Sequence, residues 1–253
     1  MSGMERHHTT PPGSRWLLRG VWLLAVLWML TGCAVMPGGT ARDPLEPLNR
    51  SVTRFNEDLD AAFLKPVASA YKEITPSIVR KGIGNFFGNL SDIWSFVNSV
   101  LQLKPQSAVD NFMRVNVNTF FGLWGLIDVA TEMGIDKHTE DFGQTLGRWG
   151  VPPGPYLVLP VLGPSTLRDT LAFGVDLNGD FTRRVDSTAE RNSLYVLKSI
   201  ELRASLLRAG SVLDEAALDK YTFLRDVFLQ RRRTEIFDGN PPDEEPMPEE
   251  PAK

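Results

Sequence analysis

The stretch that most constrains this chain is an apolar run near its start, Val21-Trp22-Leu23-Leu24-Ala25-Val26-Leu27-Trp28-Met29-Leu30, which leads into Thr31-Gly32-Cys33. Arg15 and Arg19 precede it. A basic segment, a short apolar segment and small residues at a cleavage point are the parts of an export signal. The run is about half of the ~20 residues that a membrane-spanning helix needs, which favours a removed leader over a permanent anchor helix. Residues 1–32 are therefore read as leader, and the folding problem belongs to the roughly 220 residues that follow.

Cys33 is the only cysteine in the chain. An exported chain with one leftover thiol is unusual unless that thiol is used, and one cysteine excludes a disulfide framework within the chain. Small residues followed by cysteine resemble the lipobox of bacterial lipoproteins. That resemblance implies a diacylglycerol on Cys33, cleavage just before it and acylation of the new amino terminus. Ala34 in place of Asp after the cysteine implies, by the same resemblance, release toward the outer membrane. Two or more acyl chains, at about 0.8 kcal/mol per buried CH₂, make such attachment stable. Residues 33–42, with Pro37, Gly38 and Gly39, read as a lipidated tether.

The formal charge of −4 is unevenly spread. Residues 238–253 carry Asp238, Asp243, Glu244, Glu245, Glu249 and Glu250 against Lys253, among five prolines. Such a segment cannot bury enough apolar surface to fold and is expected to be a disordered tail. The body that remains is close to neutral, without the clustered basic surface of a nucleic-acid binder.

Between tether and tail, residues 43–237 read as helices. Asp43-Pro44 offers an N-cap and a first-turn proline, followed by Leu45, Leu48, Val52, Phe55, Leu59 and Phe63 near a helical period. Pro66 is expected to end or kink that helix, and Pro76 to interrupt the next one. Gly82 to Leu103 carries Phe86, Leu90, Ile93, Trp94, Val97 and Leu101 on one face. The helix opened by Pro105 has the apolar stripe Val109, Phe112, Met113, Val117, Phe120 and Trp124. Its other side sets Ser107, Asn111, Arg114 and Asn118 in one polar line, which Gly122 and Gly125 continue. Two environments suit that pattern: a soluble helix with its polar line in water, or a helix with lipid outside and a wet lumen inside. Val115 to Ala130 is the most apolar stretch of the body, yet Asn116, Asn118 and Asp128 interrupt it below spanning length.

From Gly147 to Pro164 nine glycines and prolines punctuate Tyr156-Leu157-Val158-Leu159, a density that forbids a regular helix. Ser187-Thr188-Ala189-Glu190 is a capping box for a further helix. Gly210 is expected to end it, with Ser211 and Asp214 opening a last helix that carries Leu213, Ala217, Tyr221, Leu224 and Phe228. Arg231-Arg232-Arg233 suits that helix's negative end as a solvated face.

Recognisable catalytic chemistry is missing from the pattern. The body has one histidine, His138, read as a solvated loop residue; a zinc site or a Cys–His pair would need more. There is no Gly-x-Ser-x-Gly. Gly82, Gly84 and Gly88 do not have dinucleotide-loop spacing and are assigned to close helix packing. Asp176-Leu177-Asn178-Gly179-Asp180 has its glycine misplaced for a calcium loop and is expected to be a turn. No catalytic residue, metal site or cofactor is therefore assigned.

In order along the chain, several stretches resemble the MlaA (VacJ) family of outer-membrane lipoproteins. They are Asp43-Pro44-Leu45-Glu46 with Asn49-Arg50, Phe55-Asn56, Gly84-Asn85-Phe86 and Gly88-Asn89-Leu90. Next come Asn118-Thr119 to Gly125 with Ile127-Asp128-Val129-Ala130, and then Glu140-Asp141-Phe142-Gly143-Gln144-Thr145-Leu146-Gly147. Gly150, Gly154-Pro155-Tyr156, Leu159-Pro160, Gly163-Pro164 and Leu167-Arg168-Asp169 extend that block, and Glu201, Arg203, Asp219, Tyr221 and Arg225 close it. The resemblance implies an all-α body, a single helical domain lying in the membrane plane around a central amphipathic channel. It implies phospholipid taken from the outer leaflet and handed to a soluble periplasmic carrier, with a trimeric porin as docking partner. A headgroup crossing a leaflet needs a polar path, because an ionised phosphate buried unpaired is prohibitive. Asn111, Arg114, Asn118, Gly122 and Gly125 are the candidates to line it. Phe55, Asn56, Gly147, Gly150, Pro155 and Tyr156 are the candidates for its rim or gate. The competing expectation is a membrane-tethered structural scaffold that moves no lipid.

Overall fold

The computed structural model describes residues 43–242. The leader, Cys33, the tether and the tail from residue 243 onward lie outside the described residues. The body treated below is the compact unit that begins at Pro47.

Helix α1 (Glu46–Leu59) begins two residues beyond Pro44 and runs on through a π-helical turn (Asp60–Leu64) into α2 (Lys65–Ile74). Pro66 does not end it. Pro66 sits in the first turn of α2, and the Lys65 amide reaches back five residues to the Asp60 carbonyl. The widened turn places the proline where a missing N–H costs little. Pro76 does separate α2 from α3 (Ser77–Leu101), and Pro105 opens α4 (Pro105–Phe120) as expected.

Helices α3 and α4 form an antiparallel hairpin through the three-residue link Gln102-Leu103-Lys104. Their paired side chains run in opposite directions: Asn111 with Ser99, Arg114 with Asp92, and Thr119 with Asn89. The predicted apolar stripe of α3 is not its buried face. Asn89, Asp92, Ser95, Asn98 and Ser99 are buried, with Phe87 as their one large apolar companion on that helix. From α4 the same seam receives Ser107, Asn111, Arg114 and Asn118, while Val109, Phe112, Met113 and Phe120 are exposed. The hairpin is apolar outside and polar inside.

After α4 the chain turns through residues 121–128 into the short α5 (Val129–Glu132), then α6 (Phe142–Arg148). Gly122 and Gly125 belong to this turn and do not extend the polar line of α4. The helix has already ended, and Gly125 (φ +90°) lies against Asn89, whose side chain leaves no room for a Cβ there. Strands β1 (Tyr156–Leu159) and β2 (Gly163–Thr166) pair antiparallel, Tyr156 opposite Thr166 and Leu159 opposite Gly163. This hairpin is what the Gly/Pro-rich stretch makes, although Gly147 still lies inside α6.

Helix α7 (Leu167–Gly179) carries Asp176 to Gly179 in its last turn, where a free-standing turn was expected, and Asp180 caps a short 3₁₀ segment, Phe181–Arg184. Ser187 then caps α8 (Thr188–Ala216), its hydroxyl accepting from the Glu190 amide. Gly210 does not terminate α8, which continues past it by six residues. The last helix, α9 (Lys220–Ile236), opens later than predicted, at Asp219, whose carboxylate accepts from the Tyr221 amide. Leu213 thus belongs to α8 and Ala217 to the link. A small apolar core does exist: Tyr156, Val158 and Tyr221 with Val52, Phe228 and Leu229.

Candidate functional site

The seam between α3 and α4 is the most polar part of the interior. Arg114 is 1% exposed. Its Nη2 donates to both oxygens of Asp128 at 2.9 Å, its Nη1 to Thr131 Oγ1 (3.1 Å) and the Ile135 carbonyl (2.7 Å), and its Nε lies 3.4 Å from Asp92 Oδ2. Asn118 joins them, donating to Asp128 and accepting from the Ala130 amide. Further along, Gln102 and Lys104 both donate to the Glu140 carboxylate, and Thr145 donates to Asn98. Charges taken out of water are tolerable only when paired and hydrogen-bonded in this way. Burial pushes the Asp128 carboxyl up, but bonds from Thr131, Asn118 and Arg114 outweigh it and hold the group down at about 2.

Outside the seam the polarity is reversed. Phe120, Phe121, Leu123 and Trp124 lie side by side in sequence and are 63–78% exposed. Leu103, Leu123, Trp124 and Val161 all adopt left-handed backbone (φ +51° to +68°), and every one of them exposes its apolar side chain. That conformation costs an L-residue about 1–2 kcal/mol, so the chain accepts strain in order to point grease outward. Among the described residues no helix is long and apolar enough to cross a membrane.

A second feature is a cavity of ≈ 490 Å³ walled by α1, the π turn, α8, α9 and the β-hairpin. Tyr156, Val158, Pro164 and Leu224 give it an apolar side; Glu57, Asp60, Lys65, Arg203, Asp214 and Lys220 give it charge. Arg203 grips Asp60 through two bonds of 2.6 and 2.7 Å, and Lys220 lies 2.7 Å from Asp214 and 3.3 Å from Glu57. Burial pulls the Lys220 ammonium down, but Asp214 and Glu57 win and raise it. Its bond from Lys220 holds Asp214 low, with Lys65 and Arg203 helping.

The hairpin wall of this cavity is fastened by two asparagines of α1, Asn49 and Asn56, about two turns apart on one face. Asn49 accepts from the Val158 amide and donates to the Tyr156 carbonyl; Asn56 accepts from the Val161 amide and donates to the Leu159 carbonyl. Each side-chain amide satisfies one donor and one acceptor of the open strand edge. Asn56 and Tyr156, both rim candidates, line the cavity, and Asn56 braces the loop. Phe55 is exposed. Pro155 anchors the hairpin base, its carbonyl accepting from the Leu167 amide. Gly147 packs close to Arg168 and Ile236, and Gly150 sits in open space at φ +90°. Asn111, Arg114 and Asn118 share one face, as their spacing implies. That face is closed against α3, and none of the five proposed channel residues lines this cavity.

Sequence reading missed several of these groups. Arg232, placed on a solvated face, instead clamps the first turns of α6 and α7: its Nη atoms donate to Asp141 at 2.6 Å and its Nε to Asp169 at 2.9 Å. A Cβ on Gly143 would stand 2.5 Å from that guanidinium, which explains a glycine beside the Asp141 cap. His138, expected in solvent, is half-buried against Asp110 at 3.1 Å. Asp238, assigned to the tail, is ion-paired to Lys104. The Asp60–Arg203 pair had one hint, since Arg203 lies in a stretch matching the family pattern. Among the described residues no cluster of acids or histidines is arranged to hold a metal ion.

A helical body that buries amides and charges and exposes aromatics, with no spanning helix among its described residues, has the build of helices lying in a membrane plane. The chain belongs to the MlaA lipoprotein family, whose model matches residues 41–235. It is 37% identical over 213 residues to the intermembrane phospholipid transport system lipoprotein MlaA of Escherichia coli strain K12, covering 80% of this chain and 82% of the relative. The protein of the same description from Haemophilus influenzae is 31% identical, with 83% and 87% covered. A solved structure described as "Structural basis for maintenance of bacterial outer membrane lipid asymmetry" superposes with a TM-score of 0.64 at 35% identity. It covers 78% of this chain and 99% of that one.

Proposed function

We propose that this chain is an outer-membrane lipoprotein, held by acyl groups on Cys33 and facing the periplasm, that removes phospholipid from the outer leaflet. It passes the lipid to a soluble periplasmic carrier, works docked on a trimeric porin, and performs no catalysis. The observation that carries the reading is the inversion of polarity: the fully buried large side chains include Arg114, Asn49, Asn98 and Asn111, while aromatics and aliphatics face out. Apolar surface on this scale marks contact with lipid or protein. The headgroup path belongs to the charged cavity beside α8 and α9, whose apolar wall suits the start of the acyl chains. The polar α3–α4 seam, with Asn111, Arg114 and Asn118, stiffens the body that carries this path, and the turn at Gly122 and Gly125 closes the end of α4 against α3. The rim is the β-hairpin, braced by Asn56, with Phe55 beside it. Gly147, Gly150 and Pro155 set the hairpin's approach from α6.

The test is purification of the acylated protein from membranes, with lipid analysis and a search for the porin in the same sample. Co-purifying phospholipid and dependence on detergent are expected. A body that stays monodisperse without detergent and carries no phospholipid would instead be the tethered scaffold.

A further inference from the structure

Resting on that reading, we infer that the cavity selects zwitterionic phospholipid headgroups over anionic ones. Its charged lining is balanced: Glu57, Asp60 and Asp214 stand against Lys65, Arg203 and Lys220. Five of the six are also mutually paired, Arg203 with Asp60 and Lys220 with Asp214 and Glu57. A phosphate entering alone and drawn to Lys220 would strand Asp214 and Glu57, which that ammonium neutralises. A headgroup with a phosphate and an ammonium a few ångströms apart exchanges pair for pair. The phosphate faces Lys220 or Lys65, the ammonium faces Asp214 or Glu57, and no charge is left over. The cavity's size lies within the about 300–1,000 Å³ usual for small-ligand sites. Discrimination of this kind works mainly by rejecting the wrong charge.

The probe is a vesicle of equal parts phosphatidylethanolamine and phosphatidylglycerol. The mature acylated protein is incubated with it in detergent and repurified, and the retained lipid is quantified. The wild type is expected to retain phosphatidylethanolamine in roughly three- to tenfold excess, the scale of one or two partly exposed charge contacts. Glu57→Gln with Asp214→Asn leaves the lining with two net positive charges and should abolish or invert that excess. Lys65→Gln, a milder change at an exposed site, should increase it. Phospholipid retained without enrichment, or enrichment indifferent to these substitutions, overturns the headgroup inference and leaves the transport reading standing. No phospholipid retained by the folded wild type overturns both.

Discussion

Arg114 Nη2 donates to both carboxylate oxygens of Asp128 at 2.9 Å, inside a seam where the arginine is almost wholly removed from solvent. Removing the arginine takes the guanidinium from Asp128 and leaves Asp92 to the Lys137 ammonium at 3.3 Å. Arg114→Met should destabilise the protein by about 3–5 kcal/mol, the range for breaking a buried pair from one side. Chemical unfolding in detergent measures it; a loss below about 1 kcal/mol would mean the seam is hydrated and loosely held. In cells, Arg114→Leu combined with Asn118→Leu should raise outer-leaflet phospholipid through the weakened frame.

The same site predicts an acid limit. Asp128 in the folded protein titrates at about 2, below the about 3.9 of an unfolded aspartate. Its contribution is therefore complete above about pH 4 and lost as pH falls from there through about 2. Near-UV circular dichroism across that window should show the loss. Asp128→Asn should be less stable at neutral pH and show a shallower decline, and a parallel decline in both proteins would remove Asp128 from the account.

Asn56 holds the hairpin tip through the Leu159 carbonyl and the Val161 amide. Asn56→Ala should cost about 0.5–1.5 kcal/mol, the net worth of a typical hydrogen bond, because the Leu159 carbonyl is half-buried and the Val161 amide exposed. Amide exchange at Val161 should speed up while α8 and α9 keep their protection. If exchange there is unchanged, the brace is not what fixes the hairpin.

Leu123 and Trp124 combine left-handed backbone with exposed apolar side chains. Leu123→Gly should relieve about 1 kcal/mol of strain and so hold or raise the unfolding midpoint in detergent. It should also weaken partition into phospholipid vesicles, because apolar area has been removed. Trp124→Ser should weaken partition further. Vesicle flotation reads both, and undiminished flotation would take this turn out of the lipid contact.

What the sequence determined by itself was local. The apolar run before Cys33, the proline at the head of α4, the Ser187 cap and the break in helix between Gly150 and Pro164 follow from residue chemistry within a few positions. The same is true of the alignment of Asn111, Arg114 and Asn118, which helical spacing sets. What spacing cannot decide is which way a two-faced helix turns, because a polar line beside an apolar stripe suits water outside and lipid outside equally. The tertiary structure decided it, turning the amides of α3 and α4 toward one another and the aromatics out. It also supplied what depends on distant residues: Asn49 against the Tyr156 strand, Arg203 on Asp60, Arg232 on Asp141. Such pairs lie some ninety or more residues apart, so no local pattern announces them. Gly210 illustrates the limit from the other side: a residue that often ends a helix stays helical here, within the long α8 that packs against α2 and α3.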